Sequence, residues 1–462
     1  MSPARTAHVV VDLGFGDAGK GTLTDWLVRR HGAGLVVRFN GGAQAGHNVV
    51  TDDGRHHTFS QVGAGSFVAG VRTHLARTTV FHPLALRVEA DFLAKQGVPD
   101  AMERVTVSEH ARVITPFHQA VGRLRELARG ERRHGTCGVG VGETVRDALA
   151  NPTDIVFAGE LAHPTALIRK ARAAQERLRA DVAALRPVLR RLPFAEREWM
   201  LLDDPEVVVR WADAVRALGP RRFVVEDAWL GHRLRASHHT VFEGAQGVLL
   251  DEWRGFHPHT TWSTCTFDPA LELLREHGFE GEIRRLGVLR TYATRHGEGP
   301  LPTEEPALAP SVPEPHNDAG GWQGSFRVGH FDAVLARYAL EVCGGVDTLA
   351  LTHLDRLASR WPVSNSYRVP TTTSEDDAPL FLGSPDSGHV TGLRAGPRED
   401  LDWQARLTGF LSRCAPSREA LDLGGTPAER TERFVAWVES ALRVKVSVTS
   451  HGPAARDKRP RC

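Results

Sequence analysis

Cysteine is scarce in this chain, with five in 462 residues, at Cys137, Cys265, Cys343, Cys414 and Cys462, and no CxxC pair among them. An odd and scattered set argues against a disulfide framework or a structural zinc site built on cysteine, and it fits a reducing compartment. No run reaches the roughly 18 uninterrupted apolar residues that a membrane-spanning helix requires. Met1 to Ala7 lead into the apolar stretch His8 to Asp12 without the hydrophobic core of a signal peptide. The expected location is the cytoplasm, with no membrane partner. An excess of one charge is missing too: 57 Lys+Arg against 56 Asp+Glu leave a net +1. Such a chain has no field to hold nucleic acid by counterion release, so an anionic ligand must be bound locally. Lysine is rare among the bases, with only Lys20, Lys95, Lys170, Lys445 and Lys458. A lysine kept inside a glycine-rich loop is then informative, because a compact ammonium does there what a planar guanidinium cannot.

What is present describes a folded chain, 41% hydrophobic and 24% charged, outside the range of disordered sequences. Residues 8–13 read as a buried strand, glycines 14, 16, 19 and 21 as a tight loop, and 23–28 as an amphipathic helix with apolar positions 23, 26 and 27. A second strand over 34–39 runs into another glycine-rich turn at 40–47, and short apolar strands recur at 223–225 and 239–242. This pattern predicts an α/β fold, with a mainly parallel central sheet flanked by helices and a P-loop-like phosphate-binding loop. The Arg/Ala/Leu-rich stretch 166–218 reads as a helical insertion with a solvated face. Segments 304–325 and 370–400 read as long surface loops, and the basic tail 456–462 as a solvated end.

The stretch Gly14-Phe-Gly-Asp-Ala-Gly-Lys-Gly-Thr22 nearly spells GxxxxGK[ST], in which backbone N–H groups and a helix N-terminus cradle phosphates while the lysine reaches the terminal ones. Gly21 occupies the slot whose hydroxyl would hold Mg²⁺, with Thr22 one residue beyond. Asp17 is harder to place blandly. Inside a phosphate loop a carboxylate repels the ligand unless a divalent cation intervenes or it serves as a base. Thirty residues after Asp17 stands His47, in Gly41-Gly-Ala-Gln-Ala-Gly-His-Asn48.

These paired loops resemble the adenylosuccinate synthetase family, whose members carry GDEGKGK and GGHNAGHT. Gly135-Thr-Cys-Gly-Val-Gly140 is similar to the family's GTTGRG, and Phe242-Glu-Gly-Ala-Gln-Gly247 followed by Leu249-Leu-Asp251 to FEGAQG and LLD. Thr291-Tyr-Ala-Thr-Arg-His-Gly-Glu-Gly-Pro-Leu-Pro-Thr-Glu304 resembles AYSTRVGAGPFPTE, Leu351-Thr-His-Leu-Asp355 resembles LTKLD, and Ser450-His-Gly-Pro453 resembles STGP. The resemblance implies one domain over 1–455 carrying the helical insertion. It also implies a homodimer acting on small molecules, and a GTP-dependent ligase that phosphorylates a lactam oxygen and lets an amine displace the phosphate. Residue by residue, Asp17 is then the general base, with His47 and Lys20 acting on the transferring phosphoryl group. Gly16, Gly19, Lys20 and Gly21 cradle the GTP phosphates, and Asp355, Ser450 and Gly452 hold guanine. Asp17 and the Gly46 carbonyl take Mg²⁺, while Gln44, Thr136, Gln246, Thr261 and Arg327 bind substrate.

Departures from the family's pattern gather on the substrate side. The family's amino-acid loop reads TTGRRRRTGWLD, whereas Gly321-Trp-Gln-Gly-Ser-Phe-Arg-Val-Gly-His-Phe-Asp332 keeps a single arginine, Arg327. Each lost charge-assisted contact is worth roughly 1.5–3 kcal/mol, so a different amine, or aspartate held by Arg295 or Arg290, is expected. Ala148 to Asp154 carry no basic residue where the family's VARRGLR sends an arginine across a dimer, Cys137 replaces a threonine, Gln44 an asparagine, and His353 a lysine. His257-Pro-His259 near Cys265 lacks a third metal ligand at standard spacing. At this point ordinary adenylosuccinate synthesis, a divergent ligase, a kinase that stops at the phosphorylated intermediate, and a nucleotide-binding relative without ligase activity all stand open.

Overall fold

The computed structural model describes residues 5–130, 135–190, 192–314, 324–369, 375–384 and 388–461. Its centre is a ten-stranded sheet in the order Lys458–Pro460, Val446–Ser450, Thr348–Thr352, Glu282–Arg290, Thr6–Asp12, His239–Glu243, Leu35–Arg38, Arg72–Leu75, Val105–Ser108, Val224–Val225. Every adjacent pair is parallel except the first edge, where Lys458–Pro460 runs antiparallel to Val446–Ser450. All seven residues of Thr6–Asp12 are buried, as expected of a strand covered on both faces by helices. The mainly parallel α/β architecture read from the sequence is what the chain adopts. Parallel strands end on one common edge, and the first strand lies in the middle of the order, where the chain winds off to both sides. That is where open α/β sheets bind ligands.

Lys20–His31 is a helix that begins three residues before the expected start and is buried around most of its circumference from Lys20 to Val28. It is not the one-sided amphipathic helix that the spacing predicts. This helix packs against Thr6–Asp12 and His239–Glu243 and also against the strand His47–Val50 and the turn Ala455–Asp457, so little of it faces water. The insertion resolves into Pro164–Val182, Arg186–Leu189, Pro193–Asp203 and Glu206–Ala217. Trp199, Trp211 and Leu178 from it join Leu75 and Val107 in a second core, so the insertion closes the far end of the sheet.

Two other expectations fail for tertiary reasons. The span 370–400, rich in Ser, Thr, Asp and Gly, holds the paired strands Phe381–Ser384 and His389–Leu393 of a second sheet built on Arg360–Arg368. Phe381 stacks on Phe410 at 5.0 Å between ring centres, and Val390 and Leu393 are fully buried, so packing overrides the loop-like composition. In 304–325 the residues 306–311 form a 3-10 turn, while 315–323 lie outside the described residues. The tail is not a solvated end. Lys458–Pro460 supplies the antiparallel edge strand, and Lys458 is 5% exposed, its ammonium donating to the carbonyls of Gly452 and Ala454 at 2.9 Å. Among the described residues no helix is long and apolar enough to cross a membrane.

Candidate active site

The site is assembled where the parallel strands end. Asp12, the last residue of the first strand, accepts the N–H groups of Gly14 and Ala18 at 2.9 Å and the Lys20 ammonium at 3.0 Å. One carboxylate therefore shapes the loop and holds its lysine. Gly16 and Gly19 take φ of 99° and 90°, which only glycine adopts freely. Asp17, between them, is forced to φ 59° despite its side chain, a strain that a functional position tolerates. Gly21 has a steric explanation: a Cβ there would lie 2.7 Å from the His47 Cβ, so the Ser/Thr of an ordinary P-loop would push the second loop away. Thr22 instead turns its hydroxyl to the Pro453 carbonyl and receives the Lys458 ammonium, tying the loop to the C-terminal segment.

Asp17, Lys20 and His47 line one cavity of about 640 Å³, together with Gly16, Gly19, Gly21, Gln44, Gly46, Gln246, Asp355, Ser450 and Gly452. Asp17 Oδ2 lies 3.3 Å from His296 Nε2, and Arg290 donates to the Asp17 carbonyl at 3.1 Å. Burial works to raise the Asp17 carboxyl, but the His296 hydrogen bond and the charges of His296, Arg290 and Lys20 hold it below its ordinary range. His47 Nδ1 faces Glu243 Oε1 at 2.7 Å, and Glu243 Oε2 accepts the Ala64 N–H at 3.0 Å. Burial would raise the Glu243 carboxyl; His47 and Arg38 outweigh it, so Glu243 stays ionised. An ionised carboxylate can only accept, so His47 carries its proton on Nδ1 and keeps Nε2 for other partners. Burial lowers the His47 imidazole, with Glu243 pulling the other way, so the resting ring is neutral.

Elsewhere on the cavity wall, the Oε1 atoms of Gln44 and Gln246 are buried without a hydrogen-bond partner, and Gln246 sits at φ 57°. Buried acceptors left open in a cavity suit a ligand that brings N–H donors. At the other end Asp355 pairs with Arg356 Nε at 3.1 Å, and Ser450 Oγ donates to the Gly452 carbonyl at 3.2 Å. His353, in the family's lysine position, is a third non-glycine cavity residue at positive φ, after Asp17 and Gln246, and its Nδ1 lies 2.9 Å from Thr352 Oγ1. Burial, then Arg290, Arg356 and Lys458, keep its imidazole far below the ordinary value, so His353 brings no positive charge.

Three expected substrate residues are not brought to this cavity. Thr136 is exposed, its N–H 3.3 Å from Glu126 Oε1. Thr261 is not among the cavity's lining residues and donates its N–H to the Leu250 carbonyl at 2.7 Å. Arg327 donates to the carbonyls of Gly297 and Gly299 and pairs with Glu304 at 2.8 Å. Arg295 is no substitute: 1% exposed, it donates to the carbonyls of Glu298, Pro300 and His259 and lies over the Phe15 ring. Arg290, itself buried, pairs with Glu314, which lines the cavity, and with Tyr292. Sequence reasoning passed over Asp12, Glu243, His296 and Glu314. Of these His296 had a signal, since it stands where the resembling motif has valine.

The sequence profile of the adenylosuccinate synthetase family matches residues 9–458. The adenylosuccinate synthetase of Chlorobium limicola is 31% identical over 459 residues, covering 98% of this chain and 97% of its own. That of a Synechococcus strain is 35% identical over 355 residues, 76% of each chain. Among solved structures, the fully ligated adenylosuccinate synthetase of Plasmodium falciparum superposes with a TM-score of 0.76 at 18% identity, covering 98% of this chain and 99% of that one. The succinoaminodeoxyadenylate synthetase of cyanophage S-2L does so with a TM-score of 0.58 at 16% identity, over 99% and 95%. With a parallel sheet whose strand ends bring a lysine-bearing phosphate loop against a second, histidine-bearing loop, and relatives matching along nearly its whole length, the chain belongs to the adenylosuccinate synthetase family of GTP-dependent ligases.

Proposed function

We propose that this chain transfers the γ-phosphoryl group of GTP to the carbonyl oxygen of a lactam or amide and then lets an amine displace the phosphate. The observation that carries the reading is that Asp17, Lys20 and His47 line one cavity, so a base and two phosphate-facing groups meet at one acceptor. A lactam oxygen is a poor nucleophile while its ring N–H keeps its proton. Asp17, ionised and oriented by His296, takes that proton, and the oxygen attacks the γ-phosphorus as the bond to GDP breaks. Lys20 and the His47 imidazole, protonated once anionic phosphates surround it, offset the charge of the transferring group. The amine then adds to the activated carbon, and phosphate leaves with the C–O bonding pair. The Asp17 carboxylate and the Gly46 carbonyl, both hard oxygen donors on the cavity wall, fit Mg²⁺; bound there, the cation would neutralise phosphate charge.

Guanine selection falls to Asp355, which accepts from N1–H and the 2-amino group once it exchanges Arg356 for the base, beside Ser450 and Gly452. Gln44 and Gln246 read the acceptor, for which a purine or related lactam suits their open oxygens. With Arg327 and Arg295 engaged by Glu304 and by backbone carbonyls, a monocarboxylic amino acid or another small amine suits the site better than aspartate. The cyanophage neighbour was solved with dGMP and with dATP as an energy donor, which supports a fold that keeps its chemistry while its substrates change. The active species in this reading is a homodimer, with no nucleic-acid partner. Phosphate release with GTP and Mg²⁺ across a panel of lactams and amines tests the proposal. Release that needs both a lactam and an amine supports the ligase; release that needs the lactam alone makes the chain a kinase, and release that needs neither overturns both.

A further inference from the structure

At the edge of the sheet opposite the cavity, three histidines that the ligase reading does not use converge. We propose that His8, His31 and His239 form a binding site for a divalent transition ion of the zinc class. They come from three distant segments: the first strand, the last residue of the helix Lys20–His31, and the first residue of the strand His239–Glu243. Thr6 pairs in register with His239, so His8, two residues on, faces the same side of the sheet. One nitrogen of each ring lies within 4.8 Å of the corresponding atoms of the other two.

The metric requirements of an ion are partly met already. Tetrahedral zinc with Zn–N bonds of about 2.0–2.1 Å holds its nitrogens about 3.4 Å apart, and His8 Nε2 stands 3.4 Å from His239 Nδ1. The remaining edges, at most 4.8 Å, must close by about 1.4 Å or less to reach that spacing. His31 is the ring that turns, since it is half-buried and stacks on His8 at 4.5 Å with a 26° tilt, whereas His8 is 4% exposed. A donor set of imidazole nitrogens selects zinc, copper or nickel over magnesium or calcium. Water supplies the fourth position.

The electrostatics agree with the geometry. Burial first, then mutual proximity and nearby arginines, lower the His8 and His31 imidazoles, His8 to about 3, and burial with Arg284 lowers His239. Neutral imidazoles bind an ion without first losing a proton. Arg284 opposes a cation but pairs with Glu282 at 2.8 Å, and Arg30 lies over the Trp26 ring at 5.3 Å. The C-terminal end of the helix that carries His31 favours positive charge.

The test is metal binding by the full chain after chelator treatment, with GTP and Mg²⁺ present so that the cavity's own histidines are covered. Zinc titration is expected to show one site per chain and a rise in Tm, and Co²⁺ to show the intense visible bands of a tetrahedral nitrogen site. His31→Gln and His239→Gln, both half-buried, are each expected to weaken Zn²⁺ binding by about tenfold or more, the scale on which supporting contacts already act, with the metal-free Tm within a few degrees of wild type. A wild-type chain that binds no Zn²⁺, or a double variant that binds it as tightly as wild type, overturns the proposal and leaves the trio as a packed ring stack.

Discussion

His47 Nδ1 and Glu243 Oε1 lie 2.7 Å apart across 196 positions of sequence, and this buried pair sets which nitrogen of His47 can face a phosphoryl group. Glu243→Gln keeps an acceptor for the Nδ1 proton but removes the charge that would stabilise an imidazolium. The expected result is a fall in kcat of about 10²-fold or more, with the KM for GTP within a few-fold of wild type. An unchanged kcat would mean that His47 stays neutral throughout.

Asp17→Ala is expected to abolish phosphoryl transfer while leaving GTP affinity within about tenfold, because a general base acts on the acceptor and water partly replaces one cation contact. His296→Val, which restores the family's residue, removes one hydrogen bond to the base. That bond is worth about 1–1.5 kcal/mol, so kcat should drop about tenfold while binding of GTP, followed by calorimetry, stays put. Near-normal turnover in the alanine variant would dismiss Asp17 as the base.

Lys20→Arg should be nearly as damaging as Lys20→Ala. The side chain is 3% exposed and its ammonium is fixed on Asp12 at 3.0 Å, and a planar fork cannot enter that space with the same geometry. Steady-state turnover of the two variants settles the point, and an active arginine variant would reduce Lys20 to a structural ion-pair partner.

GTP is expected to support turnover and ATP not, because adenine lacks the paired donors that Asp355 accepts. Asp355→Asn should narrow the GTP-to-ATP ratio of kcat/KM by about tenfold or more, the effect of losing charge-assisted bonds. Equal use of both nucleotides by the wild-type chain would contradict the assignment.

Stability should fall with acid in a window set by His74. This ring is fully buried, bonded to Thr106 Oγ1 at 3.1 Å and stacked on Trp229, and burial pushes it down to about 3 from 6.5. Its folded value is depressed, so its contribution is complete above pH 6.5 and is lost as pH drops toward 3, where the unfolded chain binds the extra proton. One such group changes unfolding free energy by up to about 1.4 kcal/mol per pH unit in that window. Denaturant melts at pH 7 and pH 5 should show a smaller difference in His74→Gln than in wild type, whatever the variant's stability at neutral pH.

By itself the sequence determined what is local. Gly16 and Gly19 mark a backbone only glycine enters freely, the apolar runs mark buried strands, and Asp17, Lys20, His47, Gln246 and Asp355 stand in short motifs whose neighbours dictate their loops. The parallel α/β fold follows from strand, loop and helix repeating in that order. Tertiary structure alone decided what each of these groups touches. Glu243 on His47 and His296 on Asp17 join residues about 200 positions or more apart, a proximity that no local window contains, whereas Asp12 on Lys20 closes over eight positions at the end of the first strand. The same distance dependence withdrew Arg327 and Arg295, which read as carboxylate ligands until Glu304 and backbone carbonyls meet them, and turned the tail's Lys458 from a solvated charge into a buried brace for the phosphate loop. Hydrogen bonds and burial depend on partners brought close by the whole fold, whereas turns and periodicity depend on the residues beside them.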